Sequence, residues 1–216
     1  MRTPARAQGY TLIEFLVTLA LLAIVAGLAF PPLQRTIYRT EVRSQIRKAT
    51  SLNQVARMTA ARRGFPVVVA LLPASSEMVA FVDIHGAAAE DPPDGIFNPI
   101  DTLPVRSTDY ELQRFTVAAG LTFREPGGAT GAASVDGFGN PGALPAGVAI
   151  FDVNGSVRAA GAFRFADQRG NYFEVRVAPA ATGKVQIRKW DSTAPVNWDG
   201  THWYAEGEVE RAWSWK

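Results

Sequence analysis

The sequence predicts an α+β fold. One long N-terminal helix, transmembrane in its first half and kinked at Pro31-Pro32, packs on a mostly antiparallel β-sheet domain. Two observations predict the helix. Tyr10 to Phe30 is an apolar run with a single charge, Glu14, and helical spacing resumes after the two prolines and lasts to Arg63. A third predicts the sheet: from Pro66 onward the chain breaks into short apolar stretches separated by Gly, Pro, Asn and Asp. Strands gathered after one helix argue for antiparallel pairing rather than alternating βα units.

The opening element is the most informative. Met1 to Gly9 is short and basic, with Arg2 and Arg6 and no acid, which holds the start on the cytoplasmic side of a membrane. Tyr10–Phe30 is long enough to cross a bilayer, since about 20 residues at a 1.5 Å rise span roughly 30 Å. A secretory signal would have a shorter apolar core, and neither it nor a plain signal anchor accounts for Glu14. An acid at the centre of a spanning helix costs about 2.5–3.5 kcal/mol on insertion scales, so Glu14 calls for a function and a partner, the most accessible being an amine on another subunit.

Gly9-Tyr10-Thr11-Leu12-Ile13-Glu14, followed by the hydrophobic helix and Pro31, resembles the start of a type IV prepilin. The resemblance implies that residues 1–9 are a leader peptide removed by a prepilin peptidase after Gly9. Tyr10 then becomes the first mature residue and is N-methylated, Glu14 is the fifth, and Pro31 stands where many members carry a helix-kinking proline. It also implies an assembly contact, Glu14 pairing with the N-terminal amine of a neighbouring subunit. Breaking a buried pair of this kind costs about 3–5 kcal/mol, so one ion pair could set register along a filament. A subunit that keeps Glu14 is able to sit beneath another, and so is not confined to the outermost tip.

Downstream, residues 31–63 form the amphipathic continuation of the helix. Leu33, Ile37, Ile46, Ala49, Asn53, Ala56 and Ala60 recur at three- and four-residue steps and are expected to face the globular domain. Arg35, Arg39, Arg43 and Arg47 form a basic column, expected as a solvated face or subunit contact. Gly64 and Pro66 stop the helix. The globular β domain is expected over 64–190. Its strands are expected at Val67–Leu72, Met78–Ile84, Glu111–Val117, Leu121–Arg124, Val148–Val153, Ser156–Arg158, Ala162–Phe165, Tyr172–Val177 and Lys184–Trp190. Asn154-Gly155 predicts a two-residue hairpin turn, because both positions tolerate positive φ. Gly86–Asp101 and Glu125–Gly147 read as long loops. Residues 191–216 form a Trp-rich C-terminal extension, expected to add one or two strands over the sheet or to offer a docking edge. All five Trp follow Lys189.

The landmarks Phe81-Val82-Asp83-Ile84-His85-Gly86, Gly147-Val148-Ala149-Ile150-Phe151-Asp152-Val153-Asn154-Gly155-Ser156 and Gly183-Lys184-Val185-Gln186-Ile187-Arg188 are similar to those of GspH/FimT-type minor pilins and pseudopilins. The resemblance covers Gly9 to about Trp190 and implies a pilin-like fold. The role it implies is a low-abundance structural subunit of a type IV pilus or a type II secretion pseudopilus, contributing to filament initiation or a tip complex. Partners would be other minor and major pilins or pseudopilins, the prepilin peptidase and the inner membrane. Before assembly the chain would be single-pass with its C-terminal domain in the periplasm, and afterwards part of the filament. An alternative is a pilus-associated subunit for DNA uptake. Lys184, Arg188 and Lys189 would then touch phosphates, although Gly183–Lys189 lacks the arginine spacing of DNA-binding members.

Composition excludes several chemistries. There is no Cys, hence no disulfide, thiol nucleophile or thiolate metal site. The net charge is +2, and Arg2 and Arg6 account for it, so the mature chain lacks a polyanion-binding composition. The two His, His85 and His202, are far apart and in no metal-ligand spacing. Gly155-Ser156 lacks the flanks of a nucleophile elbow. Asp83, Glu90, Asp91 and Asp94, and Asp152-x-Asn154-x-Ser156, offer oxygen ligands for calcium without completing a known loop. The expectation is a protein that is not an enzyme, with no cofactor, no metal and no catalytic residue.

Overall fold

The computed structural model describes residues 11–72, 74–84, 109–127, 134–139, 147–197, 199–209 and 213–215. It is α+β, with one long helix, α1 (Leu12–Arg63), and ten strands among the described residues. The chain divides into two units, Met1–Glu41 and Val42–Lys216.

In the first unit, α1 starts at Leu12 and passes through Pro31 and Pro32 without interruption. Neither proline has an N–H, so the carbonyls of Gly27 and Leu28 lose their helical donors. Thr36 and Thr40 hydroxyls donate to the carbonyls of Pro32 and Thr36, at 3.0 and 2.9 Å. Every residue from Thr11 to Ile37 is exposed. This is the one helix among the described residues that is long and apolar enough to cross a membrane.

In the second unit, the rest of α1 buries Val42, Gln45, Ile46, Ala49, Leu52, Asn53, Ala56 and Ala60. The three- and four-step spacing puts them on one face. Five of them, Ala49, Leu52, Asn53, Ala56 and Ala60, have no exposed surface. Asn53 turns its Nδ2 back to the Ala49 carbonyl at 2.9 Å. The expected stripe is therefore corrected at its start. Leu33 and Ile37 are 56% and 57% exposed and continue the bare apolar surface of the first unit, so the buried face begins at Val42.

The strands are β1 (Val67–Leu72), β2 (Glu77–Val82), β3 (Tyr110–Thr116), β4 (Leu121–Phe123), β5 (Val135–Asp136), β6 (Ala149–Phe151), β7 (Gly161–Asp167), β8 (Tyr172–Val177), β9 (Val185–Trp190) and β10 (Trp203–Ala205). All pair antiparallel, in two sheets. The first has the order β3-β2-β1-β6, the second β10-β9-β8-β7-β4, with β5 also on β7. Strands β1 and β2 are buried on both faces, which is why they read as continuous apolar runs. Val68, Ala70, Val79 and Phe81 gather with Val148 and Ile150 on one side. In the second sheet, Phe163, Phe165, Phe173, Val175 and Val177 alternate onto one buried face.

Eight of the expected strands are found within a few residues. Ser156–Arg158 is not one of them and contributes a single bridge, Val157 to Phe151. The expected loop Glu125–Gly147 contains β5, which is only two residues long and too short to carry a periodic signal. The Trp-rich end adds one strand, β10, on the edge of β9.

Candidate functional site

Thr11 and Glu14 close the start of α1 on each other. The Glu14 backbone N–H donates to Thr11 Oγ1 at 3.3 Å, while Glu14 Oε2 accepts from the Thr11 N–H at 2.8 Å and from its hydroxyl at 2.9 Å. This is a capping box, in which residues three apart satisfy backbone donors that the first helical turn leaves free. The carboxylate also lies at the positive end of the helix dipole. Around it, Leu12, Ile13 and Phe15 are 77%, 69% and 60% exposed. Among the described residues Oε2 takes both Thr11 bonds and Oε1 takes none. Gly9 and Tyr10, the expected cleavage and methylation positions, lie outside the described residues.

Two of the three downstream landmarks meet at a structural junction. The hairpin turn is a three-residue loop, not the expected two-residue one. The Asp152 N–H donates to the Ser156 carbonyl at 2.9 Å and the Gly155 N–H to the Asp152 carbonyl at 2.8 Å. Only Gly155 of the Asn-Gly pair has positive φ, 80°. That is the left-handed closing residue of a type I turn with a bulge, and Asn154 keeps an ordinary conformation. Asn154 Oδ1 accepts from the Ser156 N–H and hydroxyl, at 2.9 and 2.6 Å. Gly183, at φ 55°, stacks its Cα on this turn, where a Cβ would come within 2.6 Å of the Gly155 carbonyl oxygen. Arg57 of α1 reaches the Gly183 carbonyl at 3.5 Å. The Val157 N–H donates to Ala180 at 2.8 Å. The two glycine landmarks are thus two sides of one backbone contact, which sequence reasoning missed because they lie far apart in the chain.

The three cations expected to reach phosphates separate here. Lys184 is exposed. Arg188 and Lys189 are 4% and 2% exposed, and their charges are met inside the protein. Lys189 Nζ donates to the Ser214 carbonyl and lies 5.4 Å from the ring of Trp215. Trp215 packs 5.5 Å from Phe173, with Arg43 of the basic column 5.6 Å away over its ring. Trp213 donates its Nε1–H to the Tyr204 carbonyl at 3.1 Å and packs with Val209 on Ala194 and Tyr204. The tail is therefore a strap over the second sheet. Of the remaining column, Arg35 and Arg47 are exposed and Arg39 is half-buried. Trp198 lies outside the described residues.

Arg188 belongs to a charge ladder across the second sheet. Register places Arg164, Glu174 and Arg188 side by side on β7, β8 and β9. Glu174 has no exposed surface. Its Oε1 accepts from Arg188 at 3.1 Å, and its Oε2 lies 3.6 Å from Arg164. Arg164 also pairs with Glu125 at 3.0 Å and Asp136 at 2.7 Å, beneath the Trp203 ring at 5.4 Å. Arg188 completes its set with Asp199 and the Trp203 carbonyl, both at 2.6 Å. Burial pushes the Glu174 carboxyl above the usual range, against the pull of Arg188, Arg164 and Arg176. Burial also pushes Asp199 upward, but hydrogen bonds from Thr201 and Arg188 together outweigh it and hold that carboxyl below its usual value.

The residues weighed for calcium are occupied or dispersed. Asp152 pairs with Arg158 at 3.1 Å, and Asn154 serves the turn. Asp83 is buried at the end of β2. His85, Glu90, Asp91 and Asp94 lie outside the described residues. His202 stacks on Trp190 with its Nδ1 at 3.1 Å from the Ala194 carbonyl. Among the described residues no group of three or more His, Asp or Glu side chains is placed to hold a metal.

A bare apolar helix that opens on a capped glutamate and continues into an antiparallel α+β unit is consistent with a pilin-like fold. Residues 4–30 match the prokaryotic N-terminal methylation motif. The chain is in this sense type IV prepilin-like, similar to pilins and pseudopilins that are processed by a prepilin peptidase and assemble as structural subunits. No curated protein and no solved structure matches the chain.

Proposed function

We propose that this chain is a minor type IV pilin or type II secretion pseudopilin that acts in filament initiation or close to the tip. Before assembly it sits in the inner membrane through α1, with its globular unit in the periplasm. A prepilin peptidase cuts after Gly9 and methylates the amine of Tyr10. The observation that carries this reading is Glu14, the one acid on a fully exposed apolar surface, held by Thr11 through a single carboxylate oxygen. Its second oxygen is available to the N-terminal amine of a neighbouring subunit. In an apolar filament core that pairing relieves the desolvation of both charges, and a wrong register leaves both unpaired at a cost of about 3–5 kcal/mol.

The test uses two variants in cells that assemble the filament. Gly9→Leu is expected to block leader removal, seen as retention of the precursor mass. Glu14→Gln keeps the capping geometry but removes the charge, and is expected to be cleaved normally yet lost from sheared filaments. Incorporation of Glu14→Gln at the wild-type level would sink the assembly role, and normal maturation of Gly9→Leu would sink the prepilin role.

A further inference from the structure

The outer, polar side of the second sheet holds an open cleft of about 380 Å³. That is within the range of ligand pockets, about 300–1,000 Å³. Its floor is Arg176 on β8 with Gln186 and Arg188 on β9, where Arg176 and Gln186 are directly opposite in the register. Lys184, Asp199 and Glu208 also line it. We propose that this cleft binds a carboxylate side chain presented by an acidic peptide segment of a partner protein.

The argument rests on which groups are already used. Arg188 is saturated by Glu174, Asp199 and the Trp203 carbonyl. Asp199 Oδ1 accepts from the Thr201 N–H at 3.1 Å and its hydroxyl at 2.6 Å. Glu208 Oε2 accepts from the Ala205 N–H at 2.7 Å and from Asn197 at 3.2 Å. The two acids are therefore engaged with the protein. By contrast, the side chains of Arg176, Lys184 and Gln186 make no hydrogen bond or ion pair to any described residue. The carboxylate nearest in the ladder, Glu174, is already held by Arg188 and faces Arg164. Arg176 and Lys184 thus have no carboxylate bonded to them, and the planar guanidinium of Arg176 matches a carboxylate bidentately.

Charge count and shape select among anions. Among the described lining residues, Arg188 is already paired with Glu174 and Asp199, which leaves Arg176 and Lys184 as the cations without an ion pair. A nucleic acid strand would instead bring successive phosphates against Asp199 and Glu208, and burial of Arg188 removes the cation that would have continued the track. That a protein supplies the carboxylate rests on the reading of the chain as an assembling subunit. The anion preference rests on the cleft alone.

The experiment uses the full-length chain in detergent micelles and fluorescence anisotropy of a labelled hexapeptide, Gly-Ser-Asp-Glu-Ser-Gly. Its counterpart Gly-Ser-Asn-Gln-Ser-Gly is the control. The acidic peptide is expected to bind at least about tenfold more tightly, the effect of one charge-assisted hydrogen bond. Arg176→Gln and Lys184→Gln are each expected to weaken it by about tenfold with unchanged thermal unfolding, and Arg176→Lys, which keeps the charge but loses the planar fork, to fall between Arg176→Gln and the wild type. Equal binding of the two peptides overturns the proposal, as does unchanged binding in both glutamine variants. Tighter binding of an oligothymidylate than of the acidic peptide overturns it in favour of nucleic acid, and displacement of the peptide by equimolar inorganic phosphate overturns the carboxylate preference. None of these outcomes depends on filament incorporation, so failure here and failure of the assembly role are separable.

Discussion

From Leu12 to Ile37 every residue of α1 is exposed, whereas between Val42 and Ala60 eight residues of the same helix are buried. The first stretch is apolar all round, with large side chains such as Leu16, Ile24 and Leu28. The second is amphipathic, and its buried face mixes three alanines with larger side chains such as Ile46 and Leu52. A helix apolar on every side is stable only inside something else, and no described residue buries this one. A helix with one apolar stripe needs only a sheet, and the chain supplies two. One element thus serves two solvents. The first half is long and apolar enough to cross a membrane, and the second faces the core of the globular unit.

The comparison implies that substitutions in the two halves act on different observables. In the second unit the largest expected effect is at Glu174. Glu174→Ala leaves Arg188 and the Arg164 guanidinium buried without their shared carboxylate, and should destabilise the unit by about 3–5 kcal/mol. Thermal unfolding of the full chain in micelles, followed by the near-ultraviolet signal of the tryptophans, measures this. A change no larger than that of a surface mutation would mean that the ladder is not a stabilising contact.

Asp199→Asn should cost less, about 1.5–3 kcal/mol, the worth of hydrogen bonds to a charged group. Its pH dependence is the sharper readout. The carboxyl is held below its ordinary value in the folded state, so its contribution is present above the unfolded value near 4 and is lost as pH falls through the folded one. The difference between wild type and Asp199→Asn should therefore close as pH drops below about 4. Glu174 has the opposite sign. Its raised folded pKa gives a contribution that is full below the unfolded value and lost as pH rises through the folded one. The smallest effect belongs to the first unit. Leu28→Ala, at a position 75% exposed, should shift unfolding of the globular unit by less than about 0.5 kcal/mol. A larger shift would mean that the apolar half contributes to the fold after all.

Much of this was legible in the chain because the signals were local. The bounds of α1, expected from Tyr10 to Arg63, follow from an apolar run, a resumed helical spacing and the stop at Gly64 and Pro66. Strands β1 and β8 were read to the residue, since each is a dense β-branched and aromatic run between turn residues. The Thr11–Glu14 box was written in the order Thr-x-x-Glu, although the cost of the acid, rather than its capping, drew attention to it. Where the reading missed, the deciding contact was distant. Leu33 and Ile37 carry the right spacing to be buried, but spacing does not say whether a partner is present. Arg188 and Lys189 look like surface cations on an alternating strand, yet β10 and the Trp-rich strap cover them.

The sequence by itself determined what depends on neighbours along the chain: an apolar helix with one acid, a stop, a series of strands, and a turn at Asn154-Gly155. Only the tertiary structure decided which faces are covered, because burial is set by what arrives from elsewhere. It turned two separate glycines into one contact, with the Gly155 carbonyl where a side chain on Gly183 would be. It also sorted three similar cations into one that is solvated and two that are neutralised in the interior, since a buried charge persists only where opposite charges, carbonyls or ring faces meet it.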